Sequence, residues 1–325
     1  MKVDLELFRE ILSIDSTSGK EAEISEFLYN RLEAPEKERI PVGDGTENLF
    51  FKWGQPRVVF CTHMDTVPPY IAPTFLEDRV LGRGSCDAKG QLIALYTACK
   101  ALEADGCSGF GLLLLSGEET GSWGAKAFSK TGFTAPYLIV GEPTENKMVS
   151  ASKGTKSYDL VFRGKAFHSG YPEYGVSAVD LFLDFCKSLR MMDFGKDSVL
   201  GKTTWNIGLL KSDNPQNILS PELSCRLYFR TTFASDSAVQ EWMKCAPNVE
   251  VTARGGDAPA RYFAIDGFEW GPVAFGSDAP HLTGFTHKSI CGPGTVRVAH
   301  RPDEHILLAD LETAVDQYVK MFKSL

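Results

Sequence analysis

The chain of 325 residues lacks any apolar run that approaches the roughly 20 residues of a membrane-spanning helix. It also lacks a basic excess, because 42 Asp and Glu residues outnumber 34 Lys and Arg residues and the formal net charge is −8. No basic patch of the kind that nucleic-acid binding requires occurs in the sequence. Residues 1–6, MKVDLE, are too acidic for a signal peptide. We therefore expect a cytoplasmic protein with neither a membrane nor a nucleic acid as partner.

The cysteines do not form the compact, regularly spaced set that marks a disulfide framework. They are scattered along the chain, and most of them lie inside apolar segments. Their positions are 61, 86, 99, 107, 186, 225, 245 and 291. In a chain of this length we expect reduced thiols that belong to the hydrophobic core.

Four short motifs with acidic residues or histidine are present in the first 142 residues, and each follows an apolar, strand-like run. The first motif, THMDTVP, places His63 and Asp65 just after the run RVVFC. The second, GRGSCDAKG, is a glycine-rich turn before a stretch with helical apolar periodicity, and it holds Asp87 at that junction. Strand ends of this kind are where open α/β sheets bind ligands.

The other two motifs repeat this pattern. The run 110–115 predicts a core strand that ends at SGEETGS, where Glu118 and Glu119 are adjacent. Two such carboxylates repel each other, so either the pair is solvated or a positive group lies between them. The motif GEPT places Glu142 after the run YLIV. Each motif alone is typical of an ordinary surface turn, but their common position at strand ends predicts acids along one sheet edge.

These residue types suit a dinuclear metal hydrolase. An open catalytic zinc site takes histidine nitrogen and carboxylate oxygen, and two ions about 3.5–4 Å apart need a bridging ligand. Asp65, two residues after His63, lies on the same side of an extended chain and can fix the orientation of that imidazole. A metal-bound water also needs a base, so one of Glu118 and Glu119 can bind metal while the other accepts the proton.

With these motifs the chain resembles the dinuclear zinc amidohydrolases that include acetylornithine deacetylase, succinyl-diaminopimelate desuccinylase and carboxypeptidase G. The resemblance runs nearly end to end and is strongest to acetylornithine deacetylase-like members. It implies two Zn²⁺ or Co²⁺ ions per subunit. It also implies that Asp87 bridges the ions, that Asp65 orients His63 and that Glu118 is the general base and acid. The implied metal ligands are His63, Asp87, Glu119, Glu142 and, from the late motif VAHRPDE, His300.

Length and pattern both suggest two domains, since a typical domain has about 100–200 residues. Strand-like alternation over 158–163 and 223–230, with amphipathic helical periodicity over 176–189 and 237–245, indicates a ferredoxin-like α+β domain. It is inserted into an α/β domain which, by the resemblance, has a zinc-peptidase-like mixed sheet flanked by helices. We expect the catalytic domain to comprise 1–152 and 254–325, and the inserted dimerisation and lid domain to comprise 153–253.

The resemblance assigns roles to residues outside the four motifs as well. Because the family's inserted domain forms its dimer interface, we expect a homodimer. His168, in RGKAFHSG, resembles the histidine that stabilises the developing oxyanion. Asn217 and Arg230 resemble substrate-binding residues, and an Arg fork suits a carboxylate. Ser277 and Asp278 lie in FGSDAPHL, a turn whose amides can hold a substrate carboxylate. Taken alone, His168 also fits a surface role and Arg230 a local ion pair.

We expect hydrolysis of the amide bond of an N-acyl amino acid, in the manner of N-acetylornithine deacetylation, with Glu118 as base. Alternatives are a desuccinylase, or a dipeptidase, aminopeptidase or carboxypeptidase of the same superfamily. A non-catalytic metal-binding protein is a further alternative, which the presence of Glu118 disfavours. The resemblance suggests arginine or lysine biosynthesis as the pathway. Glu304, four residues after His300, is a candidate support for that histidine.

Overall fold

The computed structural model of the protein describes residues 2–43 and 45–325. Internal contacts divide the chain into two compact units. The first unit comprises Met1–Ser150, Tyr262–Gly271 and Ser277–Leu325, and the second comprises Ala151–Arg261 and Pro272–Gly276. The limits 153–253 for an inserted domain stay a prediction, because compactness alone does not test whether a segment folds independently.

The described residues form seven helices and eighteen strands. The helices are α1 (Leu5–Ser13), α2 (Ala22–Arg31), α3 (Lys89–Ala104), α4 (Trp123–Ser129), α5 (Ala178–Met191), α6 (Asp236–Lys244) and α7 (Leu308–Ser324). The strands are β1 (Glu36–Gly43), β2 (Thr46–Trp53), β3 (Val58–His63), β4 (Thr74–Phe75), β5 (Arg79–Leu81), β6 (Phe110–Leu115), β7 (Ala135–Val140), β8 (Met148–Ser152), β9 (Gly154–Arg163), β10 (Lys196–Asp197), β11 (Gly201–Lys202), β12 (Thr204–Lys211), β13 (Glu222–Thr231), β14 (Glu250–Gly255), β15 (Ala260–Arg261), β16 (Trp270–Val273), β17 (Phe285–Ile290) and β18 (His305–Leu307).

A six-stranded mixed sheet forms the centre of the first unit, in the order β1-β2-β6-β3-β7-β17. The four strands β6, β3, β7 and β17 run parallel, whereas β1 and β2 pair antiparallel. Every residue of β3 and β6 is buried. This explains their uninterrupted apolar sequences, because a parallel strand covered on both faces has no polar side to alternate with.

The carboxyl ends of β3, β6 and β7 meet at one edge of this sheet. His63, the last residue of β3, lies opposite Leu115 at the end of β6, and Cys61 lies opposite Val140 at the end of β7. The loops that carry the Glu118–Glu119 pair and Glu142 therefore start from neighbouring strand ends. The expected gathering of acids at one edge is confirmed for these strands.

The second unit contains the element order β9-α5-β12-β13-α6-β14. Its sheet order is β12-β13-β9-β14, and all three strand pairs are antiparallel. Strands β9 and β13 alternate between buried and half-buried residues, so one face packs into a core that includes Phe162, Leu227 and Phe229. This is the expected ferredoxin-like arrangement, and the mixed α/β fold class is confirmed.

All eight cysteines are free thiols, as expected. Five of them are buried, but the expectation of core positions is wrong for Cys245, which is exposed at the end of α6. The buried residues of α6, Val239 and Met243, are four apart on one helix face, and Cys245, two residues after Met243, lies off that face. Among the helices of the described residues, none combines the length and apolar character that a bilayer crossing requires.

Candidate metal centre

His63 is buried at the end of β3 with its two ring nitrogens in different environments. Nδ1 lies 2.9 Å from the backbone carbonyl of Asp65. A carbonyl oxygen only accepts hydrogen bonds, so Nδ1 carries the proton and donates it. Nε2 lies 3.2 Å from Asp87 Oδ1. With Nδ1 engaged by this carbonyl, Nε2 is the ring nitrogen that faces the carboxylates and is placed to bind a metal ion.

Asp87 lies between two histidines. Its Oδ1 faces His63, and its Oδ2 is 3.4 Å from His300 Nε2. The contacts of Asp87 with these histidines outweigh the opposing effect of burial and hold its pKa well below the usual range. A carboxylate whose two oxygens face two separate imidazoles has the geometry of a bridging ligand.

His300 reaches the cluster from the loop that precedes β18. Its Nε2 lies 2.9 Å from Glu119 Oε1, and these contacts with Asp87 and Glu119 raise its pKa to about 10. The backbone of His300 has φ of +63°, a left-handed conformation that costs energy for a residue with a side chain. The surrounding loop holds this strained conformation, which aims the ring at the two carboxylates.

The ligand atoms form groups that match the size of a metal coordination sphere. In one group, atoms of His63, Asp87 and Glu142 all lie within 4.8 Å of one another, and in a second group the same is true of Asp87, Glu119 and His300. Asp87 belongs to both groups. The structure thus brings together all five residues that the sequence suggested as ligands, and this nitrogen and oxygen donor set fits zinc.

Glu118 lies beside this cluster and forms a further close group with His63 and Glu119. Burial raises the pKa of Glu118 well above its usual value, with nearby Asp278 and Glu119 adding to the effect and His63 opposing it. Burial likewise raises the pKa of Glu142. Buried carboxyl groups this crowded are costly to ionise together, and a bound metal cation would supply compensating charge.

The carboxylate of Asp65 contacts the Glu118–Glu119 loop more closely than it contacts His63. It accepts hydrogen bonds from the backbone amides of Glu118 (3.0 Å) and Glu119 (3.2 Å) and from Ser18 Oγ (2.8 Å). Its nearest oxygen is 3.5 Å from His63 Nδ1. Asp65 therefore connects the β3 and β6 loops, while its role in orienting His63 stays a prediction.

Ser18 was not suggested by the sequence pattern. It belongs to a loop that lies against the first motif, where Ser16 Oγ donates to the Met64 carbonyl at 2.7 Å and Thr17 forms a bridge with Thr66. A short run of Ser and Thr carries no signal of its own. Only the folding of the N-terminal segment onto β3 brings it to Asp65.

Ser277 and Asp278 lie in the first unit and are both buried. Burial raises the pKa of Asp278 to about 6, against the lowering influence of His63 and Ser122. Its Oδ1 has no hydrogen-bond partner among the described residues. Ser277 Oγ accepts a bond from the Ala279 amide at 3.3 Å. The structure places both residues in the unit that holds the metal cluster, and their binding of substrate stays a prediction.

His168, Asn217 and Arg230 belong to the second unit. His168 and Asn217 are both exposed. The loops that carry them are paired, because the Ser169 amide donates a hydrogen bond to the Asn217 carbonyl at 2.9 Å. The guanidinium of Arg230 lies 5.1 Å from the ring centroid of Tyr228. In the part of the chain that the structure describes, Arg230 forms no ion pair. The roles of these three residues stay predictions.

Comparison with known proteins agrees with this site. Residues 59–324 match Peptidase family M20/M25/M40. The chain therefore belongs to this peptidase family, and it is a hydrolase that acts on amide bonds. The metallopeptidase and amidohydrolase superfamily inferred from the motifs is confirmed.

Three relatives illustrate the match. A probable carboxypeptidase of Ajellomyces capsulatus is 32% identical over 371 residues, covering 98% of this chain and 85% of that protein. A tripeptidase from Staphylococcus aureus has a TM-score of 0.84 at 19% identity, with 99% of each chain covered. A dinuclear metal binding peptidase of the M20 family from Bacillus subtilis has a TM-score of 0.73 at 11% identity, covering 99% of this chain and 98% of that one. The two solved structures show the shared fold.

Proposed function

We propose that the protein hydrolyses an amide bond whose leaving group is an amino acid with a free carboxylate. N-acyl amino acids such as N-acetylornithine and the C-terminal residue of a short peptide both have this leaving group. The observation that carries the proposal is the pair of ligand groups that share Asp87, with Glu118 beside them. The similarity to a probable carboxypeptidase supports the substrate class.

In this proposal His63, Asp87 and Glu142 would hold one zinc ion, and Asp87, Glu119 and His300 the other. Cobalt fits the same donor set. When bound, such a pair of ions polarises the amide carbonyl and lowers the pKa of a coordinated water. The crowded carboxylates at this edge of the sheet supply the negative charge that such cations require.

Glu118 would move the proton. It is not needed to complete either ligand group, and burial raises its pKa, which favours its acting as a proton acceptor. It accepts the proton of the attacking water and returns it to the leaving amine. Asp65 holds the backbone of Glu118 in place through the 3.0 Å hydrogen bond to its amide.

Arg230 would bind the carboxylate of the leaving amino acid. Burial and the nearby Arg230 together lower the pKa of Lys153. Two cationic side chains therefore lie close together in the second unit. Among the described residues neither forms an ion pair with an acid, so a substrate carboxylate would relieve their repulsion.

His168 would stabilise the oxyanion that develops on the amide carbonyl. Its Nδ1 accepts a hydrogen bond from the Gly170 amide at 3.0 Å, so the neutral ring carries its proton on Nε2. That atom is a hydrogen-bond donor on an exposed loop. The substitution His168→Asn is expected to lower kcat by about 10²–10³-fold with little change in KM, and an unchanged kcat would remove this role.

The test of the proposed reaction is amine release by metal-loaded protein, with and without a chelator. The substrates are N-acetylornithine, N-acetylcitrulline, N-acetyl-lysine, N-succinyl-diaminopimelate and simple dipeptides. Each is paired with its C-terminal amide, and each dipeptide is also paired with its N-acetyl form. We expect chelator-sensitive release that is lost on amidation and survives N-acetylation. Release that instead requires a free amine contradicts the proposal and favours an aminopeptidase.

The proposal includes a homodimer formed through the second unit. Strand β12 is an edge strand, and Leu209 and Leu210 at its end are 71% and 57% exposed. Apolar side chains on an open sheet edge favour pairing with a second copy. Analytical ultracentrifugation should show a dimer that L210E converts to a monomer, while L76E, at an exposed leucine of the first unit, leaves it intact. A monomeric wild-type protein would contradict this part.

A further inference from the structure

Glu304 is a buried carboxylate next to the proposed metal centre, and its contacts are with the turn that carries Asp87. Its side chain is 1% exposed. One oxygen, Oε1, accepts hydrogen bonds from three backbone amides, those of Gly84 (3.0 Å), Cys86 (3.1 Å) and Asp87 (3.1 Å). It thus contacts the backbone that presents Asp87.

The second oxygen of Glu304 is also fully engaged. Oε2 accepts a 2.5 Å hydrogen bond from Arg83 Nη1, and Arg83 Nε donates to the Pro69 carbonyl at 3.2 Å. The backbone carbonyl of Glu304 accepts a bond from the Gly82 amide at 3.0 Å. Both carboxylate oxygens thus contact donors of the turn and of Arg83, and Glu304 belongs to none of the close ligand groups.

The glycine-rich turn allows the backbone to surround the Glu304 carboxylate. Gly84 has φ of +82°, a conformation that a residue with a side chain rarely adopts, and a Cβ there would lie 2.9 Å from the Thr66 side chain. The amides of Gly84, Cys86 and Asp87 point to one oxygen, and backbone amides gathered in a turn form a concave anion site. In this protein the occupant of that site is the chain's own Glu304.

The same carboxylate connects two of the segments that carry metal ligands, those of Asp87 and His300. Strand β5, which leads to Asp87, pairs with β18, which follows Glu304, and His305 lies opposite Leu81. His300 is four residues before Glu304 and faces Asp87 Oδ2 at 3.4 Å. A movement of the Glu304 carboxylate would therefore change the position of Asp87 relative to His300.

We propose that Glu304 is a positioning residue that sets the place of the bridging carboxylate Asp87, and through it the affinity of both metal positions. The inference rests on the proposed dinuclear centre. Its rival is a purely structural role, in which Glu304 and Arg83 form a buried ion pair that stabilises the fold and leaves the metal site unaffected.

The first experiment compares E304Q with D303N. Glutamine keeps the shape of Glu304, but it has no charge and one acceptor oxygen, so it cannot serve both Arg83 and the three amides. Asp303 is the adjacent acid, exposed and paired with Arg301 at 2.8 Å, and it makes a matched control. Zinc and cobalt affinities are measured by competition with a chelator. We expect a loss of about 10–100-fold in E304Q and none in D303N.

Two further readouts separate positioning from stability. The absorption spectrum of the cobalt-loaded protein reports ligand geometry, and we expect it to change in E304Q and not in D303N. Hydrogen exchange of the metal-free proteins reports the amides of Gly84, Cys86 and Asp87. These amides should be protected in the wild type and exchange faster in E304Q, because their acceptor is weakened.

The outcomes are distinct. Wild-type metal affinity and an unchanged cobalt spectrum in E304Q, with only a lower melting temperature, would overturn the inference. If E304Q does not fold, E304D replaces it, since it keeps the charge but withdraws the oxygens by one methylene. Rapid exchange of the three amides in the metal-free wild type would overturn the inference without any variant. Failure of the wild type to bind metal would instead reject the proposed function. The exchange experiment would still test whether Glu304 binds the amides of Gly84, Cys86 and Asp87.

Discussion

The acidic side chains at the metal cluster of the first unit differ from Asp159 of the second unit in burial and in partners. In the first unit Asp87, Glu142 and Asp278 are 9%, 5% and 2% exposed, and Asp87 and Glu142 form a close group with His63. In the second unit Asp159 is partly exposed and forms a bidentate pair with Arg226, whose nearest contact is 2.7 Å. Burying several carboxylates beside only two histidines is costly, and a bound cation would offset that cost, whereas exposed ion pairs need no functional explanation.

The sheets differ for a related reason. Strands β3 and β6 are parallel, completely buried and end at the metal cluster, whereas β9 and β13 are antiparallel and bury one face. Parallel strands deliver their carboxyl ends to a single edge, and ligands collect there. An antiparallel pair places successive strand ends at opposite edges and gathers no such cluster.

The largest expected effect is the loss of the proposed base. E118Q should lower kcat by about 10²–10⁴-fold, because proton transfer is removed, while two metal ions per chain remain bound. Turnover and metal content are measured on the same preparation. E10Q, at an exposed acid paired with Arg31, is the control. Retained turnover would remove Glu118 from the proton transfer, and lost metal would show that it acts as a ligand.

The next largest effect concerns the independence of the two units. Leu227 is fully buried in the second unit, and L227A should destabilise that unit by about 2–5 kcal/mol. When chemical unfolding of L227A is monitored by hydrogen exchange, the amides of β9 and β13 should exchange early while those of β3 and β6 are still protected. L114A, in the core of the first unit, should give the reverse pattern. Simultaneous exchange in both units would show that they unfold as one.

A smaller effect is expected at Ser18. S18A removes one hydrogen bond to the buried Asp65 carboxylate and should lower the free energy of unfolding by about 1.5–3 kcal/mol. Loosening the Glu118 loop should also lower kcat. S13A is the control, because the Ser13 hydroxyl donates within its own helix, to the Arg9 carbonyl. Equal stability and kcat in both variants would show that Ser18 does not support Asp65.

The smallest effect is expected for the exposed pair of the second unit. D159N should lower the free energy of unfolding by about 0.2–1 kcal/mol, because solvent and salt already screen the pair. The same substitution at the buried Asp65 should cost far more and impair turnover. Equal losses of unfolding free energy for D159N and D65N in thermal unfolding would contradict this difference between the two units.

Much of the fold follows from local pattern. The run 110–115 predicts β6 with its observed limits, and the periodic segments predict α5 and α6 within two residues. The motif order also predicts which acids lie at the strand ends. Cys245 is an exception, because an apolar neighbourhood in sequence does not guarantee burial at a helix end.

The sequence by itself determined the strand ends and the residue types of the metal cluster, because hydrophobic period and turn chemistry act over a few neighbouring residues. Tertiary structure alone decided the contacts around that cluster. The partners of Asp65 and Asp87 include Ser18, 47 residues away, and Glu304, 217 residues away. No local pattern encodes such pairs, since they form only when β3, β5 and β18 have closed long loops and buried the carboxylates together.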